Sequence, residues 1–185
     1  VLGIPFEEVT PEQRSHAKAV NFGIIYGISD FGLARQLGIP RKQAASYIEA
    51  YFKRYPSIHD FMHSMVEKAK ETGRAVTLFG RYRELPDINS KNFNRRSFAE
   101  RTAMNTPIQG TAADIMKMAM IEVYRKMKAG GYKSRVLLQV HDELVAEVVK
   151  EEKEEIAALL KETMESVVKL KVPLVADVNE GKNWA

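Results

Sequence analysis

The chain has 185 residues, 28 Lys and Arg against 24 Asp and Glu, no Cys and 45% hydrophobic side chains; that is enough for one ordinary core or two small ones, and it excludes a disordered or fibrous chain. Without Cys there is no disulfide scaffold, thiolate zinc site or Cys nucleophile, which favours an intracellular, cytoplasmic chain over a secreted one. The net charge of +4 divides unevenly: residues 1–135 carry a balance of +9 and residues 136–185 one of −5, so the first part suits a polyanion partner, the alternative being two ordinary solvated surfaces.

No apolar run is long enough for a membrane span, and Val1-Leu2-Gly3-Ile4-Pro5 opens without Met or a signal-peptide layout, as a piece of something longer would. Thr10-Pro11-Glu12-Gln13 predicts a helix start with a capping box, and that helix runs to about Tyr26, where Gly27 can end it. A short helix follows over Phe31 to Leu37, closed by Gly38. Pro40 opens a third helix that ends near Tyr55-Pro56, and Ser57 is expected to cap a fourth, Ile58 to Glu71, stopped by Gly73.

From Arg74 the texture changes. Ala75 to Phe79 and Tyr82 to Leu85 are expected as two short strands around Gly80-Arg81. A helix from about Asn92 to Asn105 is expected to break or kink at Pro107 before a longer helix runs on to Lys128. Arg135 to Val140 and Leu144 to Val149 predict an antiparallel hairpin with His141-Asp142-Glu143 at its tip. A charged helix, Glu151 to Leu170, and a last strand, Val172 to Val178, complete an α+β order: a helical lobe, then antiparallel strands with packed helices.

Three constellations carry chemistry. Arg14, Lys18, Phe22 and Tyr26 recur every four residues, so one helical face presents two cations and then two aromatics, the layout of a triphosphate with a base attached. The ordinary alternative is an amphipathic helix with buried rings and solvated cations. Arg101, Asn105 and Gln109 share the same interval and are side chains able to bond the acceptors of a duplex minor groove, or else to cap and pack around Pro107. Asp142, between two apolar strands, is held as a metal ligand would be, and a hard Mg²⁺ would need only one or two carboxylates beside water and phosphate oxygens. Glu143, its strand neighbour, points to the other face, and His141 lacks the close His or Cys partners of a zinc site. A plain polar turn is the alternative.

Together and in this order, the segments resemble the family A DNA polymerases, the bacterial DNA polymerase I family. Arg14 to Gly27 is similar to that family's motif B, R-x3-K-x3-F-x2-Y-G; Val140-His141-Asp142-Glu143 to its motif C; and Arg101 to Asp114 to the segment between them. The resemblance covers essentially the whole chain and implies template-directed DNA synthesis, with residues 1–72 as a fingers portion and 73–185 as a palm portion. It implies that Arg14 and Lys18 bind the triphosphate of a dNTP, with Lys18 also the acid for the pyrophosphate. Phe22 would stack on the nucleotide, and Phe rather than Tyr there implies discrimination against nucleotides lacking the 3′-hydroxyl. Tyr26 would guard the templating position. Asp142 would be a catalytic metal ligand beside Glu143, with two Mg²⁺ ions about 3.5–4 Å apart. His141, Arg101, Asn105 and Gln109 would contact the minor groove of primer-template DNA, with Arg83, Asn94 and Arg96 as further duplex contacts.

One departure is large. Motif A, a strand of the form D-Y-S-Q-x-E-L-R upstream of motif B, has no counterpart in this chain. It carries the other catalytic Asp, and Asp177 does not have its setting. The expectation is a C-terminal portion that is inactive unless the missing N-terminal part is supplied; a non-catalytic nucleic-acid-binding module is the alternative, and no membrane partner is expected.

Overall fold

The computed structural model describes residues 5–183. Ten helices and strands follow in order among them: α1 (Pro11–Ile25), α2 (Asp30–Leu37), α3 (Arg41–Arg54), α4 (Pro56–Thr72), β1 (Arg74–Val76), β2 (Tyr82–Glu84), α5 (Phe93–Ala129), β3 (Arg135–Val140), β4 (Glu143–Glu147) and α6 (Lys153–Ser166). The chain forms two compact units, one ending at Ile108 and one starting at Gln109. That division falls inside α5. Among the described residues no helix is long and apolar enough to cross a membrane.

In the first unit, α1 starts as its sequence dictates. The Thr10 hydroxyl accepts from the Gln13 amide at 3.2 Å and the Gln13 side chain accepts from the Thr10 amide at 2.9 Å, a reciprocal cap worth about 1 kcal/mol. Only Val20 and Ile24 of α1 are buried. They join Leu33, Ala34, Ala44 and Tyr51 in a core closed by α2 and α3. Ser29 caps α2, and Gly38 ends it at φ +66°. Arg41 grips Asp30 through two nitrogens at 2.6 and 3.2 Å, and this guanidinium, aided by the Phe31 amide, holds the Asp30 carboxyl below its usual range. The expected cap at Ser57 is corrected: α4 begins two residues earlier than Ile58, with Tyr55 as N-cap and Pro56 at its first position, where a missing N–H costs nothing.

A second cluster of small and aliphatic residues, Ala69, Ala75, Leu85, Ile88, Ala99 and Ala103, ties α4 and the β1–β2 hairpin to α5. Arg74, Ala75 and Val76 pair with Glu84, Arg83 and Tyr82. The strands are shorter than predicted because the Thr77 amide bonds to the Arg81 carbonyl and Gly80 takes φ +84°, which turns Leu78 and Phe79 out of the ladder. The expected break at Pro107 does not occur either: α5 runs through it as one helix of 37 residues. Proline removes one amide and strains one turn, about 3 kcal/mol. The remaining ladder of a helix this long outweighs that, and the Thr106 hydroxyl adds a bond to the Thr102 carbonyl at 2.7 Å.

In the second unit, Val123 and Met127 of α5 meet Ile156 of α6, with Tyr132, Val136, Leu144, Leu159 and Leu160 around them. The β3–β4 hairpin thus lies on this helix pair through Val136 and Leu144. A 3-10 turn, Lys150–Glu152, precedes α6, so the helix starts and ends inside the predicted 151–170. Residues 172–178, expected as a last strand, are not a strand. The β3–β4 ladder does not extend to them; instead the Ala176 amide donates to the Glu165 carboxylate at 3.0 Å, and just beyond the segment Lys153 meets Glu180 at 2.7 Å.

Candidate nucleotide and duplex surfaces

Burial of Val20 and Ile24 fixes the rotation of α1, and so decides which residues face outward. Arg14 and Lys18 are exposed, and Phe22 and Tyr26 are 45% and 38% exposed. The buried-ring alternative therefore does not describe this helix. The two rings stack at 6.3 Å with 14° between their planes, and the Lys18 ammonium lies 5.8 Å from the centre of Phe22. A cation over an exposed ring gains about 0.5–1 kcal/mol, so Lys18, Phe22 and Tyr26 form a preset row. Behind it, Asn21 accepts from the Tyr51 hydroxyl at 2.9 Å, tying the helix to α3.

The C-terminal end of this row meets α5. Gly27 has φ +73°, and a Cβ there would come 2.5 Å from the Met104 methyl and 3.2 Å from Arg101 Cγ. A bare backbone at position 27 therefore lets the Tyr26 turn approach Arg101. Arg101 donates to the Ser97 hydroxyl at 2.8 Å, a partner four residues upstream that the sequence pattern did not single out. One amide oxygen of Asn105 is buried without a hydrogen-bond partner. Gln109, exposed, begins the second unit, on the same unbroken helix.

The other candidates are less uniform. Arg83 is exposed on β2, opposite Ala75. Asn94 is exposed in the first turn of α5. Arg96 is partly committed: it donates to the Ser90 carbonyl at 2.8 Å and lies 5.9 Å from the Phe93 ring.

In the second unit, Val140 pairs with Glu143, leaving His141 and Asp142 as a two-residue turn. Glu143 is the first residue of β4, so the tip is tighter than three residues. His141 has φ +52°, a region in which His is enriched among non-glycine residues. The Gln139 side-chain amide Nε2 donates to the His141 carbonyl at 2.7 Å, which pins the turn. His141, Asp142 and Glu143 are all exposed. Gln139, the one polar residue in the run Val136-Leu137-Leu138-Gln139-Val140, was legible as an exception to an apolar strand. At the other end of the hairpin, Glu152 and Ser134 form a hydrogen-bonded knot that no spacing in the sequence announced.

The comparisons agree on what this chain is similar to. A family model described as DNA polymerase family A matches residues 1–185. DNA polymerase I of Streptococcus pneumoniae is 57% identical over 178 residues, 96% of this chain and 20% of that protein. DNA polymerase I of Caldicellulosiruptor bescii is 55% identical over 184 residues, and that of Bacillus subtilis 50%, each covering 100% of this chain and 22% and 21% of the relative. The chain thus spans about a fifth of the length of these relatives. A solved structure, the POL domain of Pol1 from M. smegmatis in complex with DNA primer-template and dNTP, superposes with a TM-score of 0.89 at 46% identity, covering 92% of this chain and 30% of that one. By sequence and by fold, the chain belongs to the family A DNA polymerases, as a segment matching the bacterial DNA polymerase I enzymes.

Proposed function

We propose that this chain is the fingers and palm portion, residues 1–72 and 73–185, of a cytoplasmic DNA-directed DNA polymerase serving replication and repair. The observation that carries the reading is the outward row on α1: cations at 14 and 18, then exposed, stacked rings at 22 and 26. Arg14 and Lys18 bind the triphosphate of a dNTP, Phe22 stacks on its sugar and base, and Tyr26 holds the templating position. Arg101, Asn105, Gln109 and His141 contact the minor groove of the primer-template, with Arg83, Asn94 and Arg96 along the duplex.

In the reaction the primer 3′-hydroxyl gives its proton to solvent and its oxygen bonds to the α-phosphorus, the bond from that phosphorus to its bridging oxygen breaks, and pyrophosphate leaves with a proton from the Lys18 ammonium, which solvent then reprotonates. Positioning and charge neutralisation supply most of the acceleration in phosphoryl transfer. Bound Mg²⁺ supplies a more acidic 3′-hydroxyl and a neutralised leaving oxygen. The donors present fit one share of such a site: Asp142 is an exposed carboxylate in the two-residue hairpin turn with Glu143 beside it, and among the described residues no group of three or more His, Asp or Glu could hold a metal. Mg²⁺ accepts one or two carboxylates, so the second Asp comes from an N-terminal part outside this chain. The same lack of a cluster supports the second reading, a nucleic-acid-binding module without catalysis.

One experiment separates them. This sequence replaces the matching segment of the Caldicellulosiruptor bescii polymerase, and primer extension is measured. The chimera is expected to extend primers, Asp142→Ala to abolish extension with duplex binding retained, and Lys18→Ala to lower nucleotide use. A folded chimera that binds duplex but extends nothing would establish the non-catalytic module.

A further inference from the structure

The hairpin that carries Asp142 is fastened at the end away from the tip. Ser134, 5% exposed, immediately precedes β3, and Glu152 closes the 3-10 turn after β4. The Glu152 carboxylate accepts from the Lys133 amide at 2.9 Å, the Ser134 amide at 2.9 Å and the Ser134 hydroxyl at 2.6 Å, and that hydroxyl accepts from the Val149 amide at 2.9 Å. These bonds join the start of one strand to the end of the other. The Arg135–Glu147 ion pair at 2.8 Å also bridges this end, but its side chains are 72% and 60% exposed, so it adds little.

The fastening matters because the ladder between it and the tip is irregular. Near the base Arg135 and Val136 face Glu147 and Ala146; nearer the tip Leu138, Gln139 and Val140 face Val145, Leu144 and Glu143. The register changes by one residue, with Leu137 as the extra one. A bulge bends and twists a strand. It would vanish if the base slid so that Arg135 faced Val148, the pairing that continues the tip register downward. The Glu152 carboxylate, bonded to two successive amides and a hydroxyl at positions 133 and 134, opposes that slide, whereas the Ser134–Val149 bond joins residues that would face each other after it.

We propose that Glu152 and Ser134 are positioning residues that hold the base register of this hairpin, preserve its bulge and so set where the His141-Asp142 tip stands. This rests on the polymerase reading above. The carboxylate remains ionised for this task, since the Lys133 amide and then the Ser134 hydroxyl and amide lower its affinity for protons. The size of the effect follows from strand geometry. From Leu137 to Asp142 the strand extends roughly 13–16 Å at ~3.3 Å per residue, so a change of about 10° at the bulge moves the tip by about 2–3 Å. A misplacement of ~1 Å can cost about a hundredfold in rate.

The test uses the chimera described above with Glu152→Ala, Glu152→Gln and Ser134→Ala, read by single-nucleotide kinetics, duplex affinity, thermal midpoint and hydrogen exchange of peptides spanning 133–153. The expected result is a kcat at least tenfold lower for Glu152→Ala. The dNTP KM and duplex Kd stay within twofold and the midpoint within a few degrees, with faster exchange at both Val149 and the tip. Glu152→Gln, which keeps one acceptor at the same reach, recovers part of kcat, and adding Ser134→Ala to Glu152→Ala lowers kcat no further. Unchanged kcat, or kcat falling only in proportion to folded protein, overturns the proposal. Should Glu152→Ala not fold, Ser134→Ala and Glu152→Gln decide by the same criteria. Should the unmutated chimera fail to extend primers, the polymerase reading falls, and exchange alone judges the coupling: a tip unaffected by Ser134→Ala overturns it.

Discussion

Replacing Gly27 with Ala probes the place where the row on α1 meets Arg101. Two costs follow from the geometry. At φ +73° an Ala meets the left-handed penalty of about 1–2 kcal/mol. Its Cβ would also sit 2.5 Å from the Met104 methyl and 3.2 Å from Arg101 Cγ. The methyl is the far end of a flexible side chain and can rotate away; Arg101 Cγ must give by a few tenths of an ångström, so the packing cost is about 1 kcal/mol, the low end for an overfilled site. Gly38 is the control, with φ +66° and nothing within 4 Å of an added Cβ, so Gly38→Ala carries the backbone cost alone. Native-state hydrogen exchange of the first unit is expected to show a loss of about 2–3 kcal/mol for Gly27→Ala and about 1–2 for Gly38→Ala. In the chimera only Gly27→Ala should weaken primer-template binding, because only it displaces Arg101. Equal exchange for the two variants with duplex affinity unchanged in both would refute the argument.

Pro107→Ala returns an amide to the interior of α5 and is expected to stabilise that helix by about 2 kcal/mol, after allowing for the freer unfolded chain, read as slower exchange of residues 103–111. Thr163→Val removes the hydroxyl, buried to 0% exposure, to which Lys126 donates at 3.1 Å; denaturant unfolding of the second unit should lose about 1 kcal/mol. Acid should loosen the hairpin base before its core. Glu152 has a lowered folded pKa, so its contribution is fully present above the ordinary carboxylate range and is lost as pH falls below about 4 through the lowered value. The measurement is exchange of the Val149 amide against pH, and Glu152→Gln should flatten the dependence. Residues 172–178 should exchange fast in the 185-residue chain and slowly in the chimera, if their strand pattern is completed by a partner outside this sequence; equal exchange in both contexts would count against that.

Helix starts and stops were legible because their causes are local. Thr10, Pro11 and Gln13 build the first cap with atoms three residues apart, and Gly27, Gly38 and Gly73 end helices by adopting φ that other residues resist. The site row on α1 was legible in composition but not in exposure: period four fits a buried stripe equally well, and only the competing burial of Val20 and Ile24 turns Phe22 and Tyr26 outward. Pro107 shows the converse error. A local rule predicts a break, but the decision is taken over a 37-residue helix whose other bonds are intact. The Ser134–Glu152 knot was invisible because it joins residues 18 apart through a turn, and neither residue stands out in its own neighbourhood.

Strands mark the boundary of what a sequence can promise. The stretch at 172–178 is as apolar as the one at 135–140, but only the second finds a ladder partner among the described residues, because a strand is completed by another segment and a helix by itself. Both sheets here have two strands, fewer than a free-standing sheet ordinarily needs, and Leu137, Leu138, Val172, Val175 and Val178 remain exposed. The same reasoning applies to chemistry. Arg14, Lys18, Phe22 and Tyr26 lie on one helix and assemble without help, so their arrangement could be read from spacing. As the proposed metal ligand, Asp142 would need a second carboxylate from another element, as a strand needs a neighbour, and its setting at the tip of a bulged hairpin gives one half of that arrangement. On the proposed reading, the part of the site that is one helix face lies within this chain, and the part that is a meeting of strands draws on a segment outside it.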